Sequence, residues 1–285
     1  MTMEIRITNA AEAETLHNLV RSVGWNQKQA DCDLMVGKKN SCAIYAWDGD
    51  TVAGCAAAQL YGNKEMAFIN MVVVPEQYRK QGIATRMLLH LMEQFKEYKT
   101  LRLHASQAGQ YVYSKIGFRP GEIFHKYFAP EECIQAAAPA EGISLLTAED
   151  MEKAAALDAA SFGIHRGELL ENFRRMAPGL CFKICDSNGV MTGFIIGREG
   201  PHARQGSAVT AANEEDVMKL FHAMAQAEGA PRKTLMVVPD SQTVLIEKLL
   251  NTGFRKDTPL LGMDYGQNGP APHSKYFATL GGDFG

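Results

Sequence analysis

The chain has 285 residues, room for one large domain or two of medium size. Hydrophobic residues at 46% and charged residues at 21% describe an ordinary globular chain and exclude a disordered one. A formal net charge of −3 gives no overall reason to hold nucleic acid or an anionic membrane, so any anion site must be local.

The opening MTMEIRITNA lacks the basic segment and apolar run of a signal peptide, and no later apolar stretch is long enough to span a bilayer. A cytoplasmic protein without membrane contact is expected. Cys32, Cys42, Cys55, Cys133, Cys181 and Cys185 show no zinc-like spacing, so reduced, buried thiols are expected, with no disulfide frame and no metal. Cys181 and Cys185 fall in LCFKICD, which reads as strand and separates their side chains.

In chain order, AEAETLHNLVRSV places Leu16, Leu19, Val20 and Val23 at helical spacing. SCAIYAWDGDTVAGCAAAQLY reads as two strands joined at Asp48-Gly49-Asp50. MAFINMVVV is an almost unbroken apolar run ending at Pro75, as expected of a strand covered on both faces. Beyond RKQG, Ile83, Met87, Leu88, Leu91, Met92 and Phe95 give a helix with one apolar face. Leu101, Leu103 and Ala105 alternate with polar residues as a strand does, and a short helix through Tyr111 stops at Gly117.

EECIQAAAPAEGISLL reads as a linker with its boundary near Ala140, and beyond it the order of parts returns. AEDMEKAAALDAASF is helical, LCFKICDSNGVMTGFIIG holds strands about a turn at Ser187-Asn188-Gly189, GSAVTA precedes the helix EEDVMKLFHAMAQAEG, and TLMVVP answers TLRLHA. LLNTGF answers YSKIGF, so the two halves read as a duplicated α/β unit. In the tail, Tyr276, Phe277 and Leu280 suit a short closing strand.

Arg79-Lys80-Gln81-Gly82-Ile83-Ala84 lies between a strand end and a helix start. The first amides of a helix have no internal partners and stand at the positive end of its dipole. Gly82 and Ala84 let the backbone approach a phosphate while Arg79 and Lys80 add charge, so a phosphate or pyrophosphate is the implied ligand. The segment has neither the ending of a Walker loop nor the three-glycine turn of a dinucleotide fold. Taken alone it serves equally well as a basic turn that begins a surface helix.

INMVVVPEQYRKQGIATRMLLHLM resembles the acetyl-CoA motif of the GNAT N-acetyltransferases, R/Q-x-x-G-x-G/A after a strand and a proline, and LHASQAGQYVYSKIGF resembles the family's next motif, which closes in Y-x-x-x-G-F. The second half, in LDAASFGIHRGELL, GSAVTA, VVPDSQ and LLNTGF, resembles the divergent acetyltransferase-like domain of a tandem bacterial subgroup. The resemblance implies an α/β fold (α+β in some schemes) of two tandem GNAT-like domains, each a mixed, mostly antiparallel sheet flanked by helices. The expected limits are 1–138 for the acetyl-CoA-binding domain, 143–268 for the divergent domain and 269–285 for the tail. It further implies that the backbone of Val72, Val73 and Val74, on a splayed strand, pairs with the pantetheine arm. The amides of Gln81, Gly82, Ile83, Ala84 and Thr85 are implied to hold the pyrophosphate, with Arg79 and Lys80 beside them and Gly109 also at the cofactor.

Acetyl transfer to an amine needs a neutral nitrogen, a polarised carbonyl and a proton for the departing thiolate. Tyr113, four residues before Gly117, stands where the family places its general acid, although a packed helix residue is the alternative. The base is open: many relatives carry a strand glutamate near the position of Ile69, which is apolar here. Glu65, with Asn70 orienting the acceptor, is one candidate and His104 another, each with a plain structural reading beside it.

In the second half Leu249 replaces Tyr113, and Asn213-Glu214-Glu215-Asp216 replaces the basic turn, so this copy is expected neither to bind the cofactor in the same way nor to leave a splayed, occupied slot. Its expected use is to complete the acceptor pocket or hold the first domain in place. Arg166 is a candidate for a substrate carboxylate, with an internal pair to Asp158 as the alternative. The sequence thus predicts acetyl transfer to a small amine or amino acid. A coenzyme-binding sensor and a protein or peptide acetyltransferase are the rivals, and oligomeric state is not legible.

Overall fold

The computed structural model describes residues 3–136, 141–227, 233–270 and 273–285. The expected boundary at Ala140 and the thiol of Cys133 lie outside the described residues. The first half runs β1 (Glu4–Ile7), α1 (Ala13–Ser22), α2 (Gln29–Asp33), β2 (Ser41–Asp48), β3 (Thr51–Tyr61), β4 (Met66–Val73), α3 (Ile83–Gln94), β5 (Thr100–Ala105), α4 (Gln107–Lys115), β6 (Arg119–Ala129) and α5 (Glu131–Ala136). The second runs β7 (Ile143–Leu145), α6 (Met151–Phe162), α7 (Gly167–Met176), β8 (Phe182–Cys185), β9 (Met191–Glu199), β10 (Arg204–Thr210), α8 (Glu214–Gln226), β11 (Thr234–Pro239), α9 (Thr243–Asn251), β12 (Arg255–Gly266) and β13 (Tyr276–Ala278).

These elements form two compact units that do not follow chain order: unit 1 is Met1–Gly121, Leu261–Gly269 and Asp283–Gly285, and unit 2 is Glu122–Leu260 and Pro270–Gly282. Limits drawn along the sequence place 261–268 with the second domain, whereas contacts place them in unit 1. The reason is strand pairing. Leu261–Gly266 of β12 run antiparallel to β5, while Phe124–Ala129 of β6 run antiparallel to β11.

In unit 1 the strand order is β1-β2-β3-β4-β5-β12, antiparallel except for β4 with β5. A parallel pair needs a crossover, and α3 supplies it. The apolar stripe Ile83, Met87, Leu88 and Leu91 is buried against Ala67, Ile69, Leu101 and Leu103 of the sheet. Phe68 and Asn70 alternate to the other face. The β2–β3 hairpin turns at Gly49-Asp50, with Gly49 at φ 60°.

Unit 2 repeats the plan with the order β6-β11-β10-β9-β8-β7 and a parallel β10–β11 pair joined through α8. The repeat extends to detail. Phe118 N donates to Tyr113 O at 3.1 Å and Phe254 N to Leu249 O at 2.9 Å, around Gly117 at φ 96° and Gly253 at φ 86°. Met71 in β4 and Ala208 in β10 both stand at φ 48°, each at a shift of strand register. Helix α7, not marked by the sequence reading, buries Leu169, Leu170 and Phe173. Among the described residues no helix is long and apolar enough to cross a membrane.

Candidate active site

The pairing of β4 with β5 ends at Ile69 opposite Leu103, yet β4 continues to Val73. The bulge at Met71 turns the strand, and Val73 is next in register with Cys55 of β3. The backbone from Val72 to Val74 therefore follows β3 while its β5 side stands apart. Gly54 allows this course: a Cβ there would lie 3.0 Å from Val73 O and 3.1 Å from Met87 Cε.

Pro75 closes the strand, a single 3-10 turn spans Glu76–Tyr78, and Arg79 Nε donates to Val74 O at 3.1 Å. Lys80 at φ 60° and Gly82 at φ 76° then turn the backbone through left-handed conformations into α3. A side chain at 82 would have space, since nothing lies within 4 Å of a built Cβ, so it is the dihedral that calls for glycine. No side chain caps α3, and no acidic residue stands in its first turn. Its opening amides, from Ile83 to Thr85, are left to a ligand or to water. In unit 2 the contrast is complete: Asn213 Oδ1 accepts from Asp216 N at 3.0 Å, and Glu214, Glu215 and Asp216 fill the first turn of α8.

Helix α4 carries Tyr113. Its half-buried ring meets Phe118 edge-on at 6.1 Å and lies over Gly109, where a Cβ would stand 2.7 Å from Tyr113 Cε2. Burial pushes the Tyr113 phenol up to about 12. Its hydroxyl has no hydrogen-bond partner among the described residues. The counterpart Leu249 is fully buried.

Two of the candidate residues, His104 and Asn70, lie on the face of the sheet opposite α3. His104 packs edge-on against Phe68 at 5.0 Å, and burial lowers its imidazole to about 3, so it stays neutral and is a feeble base. Asn70 is 6% exposed, donates Nδ2 to Asp283 O at 2.6 Å, and has its Oδ1 buried without a partner. Glu65 is not brought to this place. It precedes the first residue of β4, at the end away from the bulge, and binds Lys99 Nζ at 2.7 and 2.9 Å. Arg166 belongs to unit 2, where it grips Asp158 through contacts of 2.8 and 3.0 Å and lies 3.7 Å over Phe162, with both charged side chains fully buried. That is the internal pair, and it leaves the guanidinium no face toward a substrate.

The expectation of an unsplayed second sheet needs correction. The β10–β11 pairing ends at Gly206 opposite Met236, so these strands also part, but β13 enters the gap. Val209 pairs Ala278, Ala208 N donates to Thr279 O at 3.0 Å, and Thr279 N donates to Val237 O at 3.0 Å. Among the described residues no cluster of three or more His, Cys, Asp and Glu is placed to hold a metal ion.

The parted strand and the open helix start are what the resemblance implied, whereas the bulge at Met71 had no signal in the sequence; comparison with known proteins bears on the family. The profile described as the Acetyltransferase (GNAT) family matches residues 10–118, and that described as the Acetyltransferase (GNAT) domain matches residues 154–278. The chain belongs to the GNAT acetyltransferases and carries two such domains in tandem. The family takes its acetyl group from acetyl-CoA. An uncharacterized N-acetyltransferase of Bacillus subtilis (strain 168), YitH, is 22% identical over 266 residues, 93% of this chain and 92% of its own. A candidate acetyltransferase from Pyrococcus horikoshii shares the fold at TM-score 0.82 and 19% identity, over 99% of this chain and 96% of its own. A tandem GNAT protein from the clavulanic acid biosynthesis pathway, solved without acetyl-CoA, does so at 0.66 and 13%, over 94% and 99%.

Proposed function

We propose that the protein is an acetyl-CoA-dependent N-acetyltransferase that modifies a primary amine of a small molecule, with unit 1 as the transferring unit. The observation that carries this reading is the uncapped start of α3 beside a strand that has left its neighbour. Acetyl-CoA, when bound, supplies the thioester-activated acetyl group. The amides of Gln81, Gly82, Ile83, Ala84 and Thr85 are the donors for its diphosphate, and Arg79 and Lys80 add positive charge. Val72, Val73 and Val74 offer main-chain groups to the pantetheine arm in the way one strand receives another.

Tyr113 is the general acid: burial keeps the proton on its hydroxyl throughout the physiological range. Asn70 orients the acceptor through its unpartnered Oδ1. Donor and acceptor side by side gain their advantage from orientation, and the amine attacks directly in a ternary complex. Unit 2 binds no coenzyme on this reading, because β13 lies in its slot, Asn213 caps α8 and carboxylates fill the first turn of that helix.

The test follows free thiol while purified protein is mixed with acetyl-CoA and a panel of primary amines. Amine-dependent thiol release supports the reading. Coenzyme binding without release for any amine favours a sensor, and acetylated proteins in a treated cell extract favour a protein acceptor.

A further inference from the structure

Between α1 and the loop that leads into α3, unit 1 has a cavity of about 520 Å³, within the size range of small-molecule sites. Leu19 and Val23 at the end of α1, Val52 of β3 and Pro75 give it half-buried apolar walls, and the exposed Glu76 and Arg79 line it from the loop. This is not the coenzyme's gap. That gap opens on the β5 side of β4, whereas the cavity adjoins β3, with which Val73 is in register, so the end of β4 separates the two.

Glu76 and Arg79 stand three residues apart across the single 3-10 turn, where Arg79 N donates to Glu76 O at 3.1 Å, and such a turn brings side chains at this spacing into line. Three pairs of opposite charge at the same spacing, Glu93 with Lys96, Glu171 with Arg174 and Asp216 with Lys219, close on each other. Here the pair stays open. Arg79 Nε is turned to Val74 O at 3.1 Å, its terminal amines have no partner among the described residues, and neither has the Glu76 carboxylate. The turn thus offers a separated cation and anion beside apolar walls.

We propose that this cavity binds a free α-amino acid with an aliphatic side chain. Its carboxylate meets the terminal amines of Arg79, its ammonium meets Glu76, and its side chain lies against Leu19, Val23, Val52 and Pro75. A free α-amino acid carries both charges on neighbouring groups, which an amine or a carboxylate alone does not. The ligand is an effector rather than the acceptor, because the end of β4 stands between it and the coenzyme gap. Arg79 also lends its charge to the coenzyme's diphosphate on the reading given above. A carboxylate on the guanidinium takes up part of that charge, so the two ligands bind against each other. This coupling rests on that reading, whereas the site itself does not.

The test is titration calorimetry on the full chain without coenzyme. L-leucine is compared with 4-methylpentanoate, which lacks the ammonium, and with 3-methylbutylamine, which lacks the carboxylate. Leucine should bind at one site and at least about tenfold tighter than either, and equal affinity or no binding of leucine overturns the proposal. Glu76→Gln removes a charge that has no partner to lose, and it should weaken leucine about tenfold or more without lowering CoA affinity. Unaltered leucine affinity in that variant overturns the placement of the ligand. In the wild type, saturating CoA should weaken leucine about fivefold or more, and independent binding overturns the coupling through Arg79. Failure of CoA to bind at all would sink the reading of unit 1 instead and leave the leucine result standing.

Discussion

Ala208 gives its backbone N–H to the carbonyl of Thr279 at 3.0 Å, inside the gap where β10 and β11 part. In unit 1 the corresponding gap, beyond Ile69 and Leu103, is the one assigned here to the pantetheine arm. One residue of the chain thus satisfies both edges in unit 2, for Thr279 also donates to Val237 O at 3.0 Å. A coenzyme would have to break these bonds before making its own.

The chain is therefore expected to bind one equivalent of CoA. Titration calorimetry with native mass spectrometry should give a single site, and a second equivalent of similar affinity would show that β13 does not close the second slot.

Tyr113→Phe keeps the ring and removes the proton. The kcat should fall about 10²- to 10³-fold, within the usual reach of general acid catalysis, with CoA affinity within about threefold. The pH dependence has a definite sign. The phenol's folded value is raised, so the protonated acid persists above the ordinary tyrosine range and is lost only as pH climbs toward about 12. The kcat of the wild type should show no decline assignable to this group up to pH about 10.

Gly109 has two readings, a coenzyme contact and a seat for the Tyr113 ring. A Cβ at 2.7 Å from Cε2 must displace that ring. Gly109→Ala should lower kcat about ten- to a hundredfold through misplacement of the hydroxyl, with little change in CoA affinity. Weakened CoA binding with normal kcat would give the residue to the coenzyme.

The Asp158–Arg166 pair is internal, with both side chains fully buried. Arg166→Ala leaves a carboxylate unpaired and should cost unit 2 about 3–5 kcal/mol, read as a large fall in denaturation midpoint. A well-folded variant with normal stability and weakened acceptor binding would restore Arg166 as a substrate contact.

The turn from Arg79 to Ala84 was legible because its signals are local: a strand, a proline, two cations, a glycine and an amphipathic helix follow one another without gaps. Tyr113 was singled out by the resemblance of YSKIGF to the family's Y-x-x-x-G-F motif. Other features depend on distant partners. Nothing in an apolar run marks Met71 for a φ of 48°, since register against β3 imposes it. Glu65 looked close to the site in sequence, but an extended strand carries Asn70 about 16 Å beyond it. The tail suited a short closing strand at Tyr276, Phe277 and Leu280, and a strand forms at Tyr276–Ala278, but nothing showed that Thr279 would fill one slot or that Asp283 would reach Asn70, because both contacts link residues far apart in the chain. The pairings of β6 and β12 were hidden for the same reason.

The most direct test is a crystal structure of the protein with CoA. The account predicts diphosphate oxygens within hydrogen-bonding distance of backbone nitrogens between Gln81 and Thr85, with the pantetheine arm along Val72–Val74. Coenzyme held at Asn213–Val217, or bound without contact to the start of α3, would contradict it.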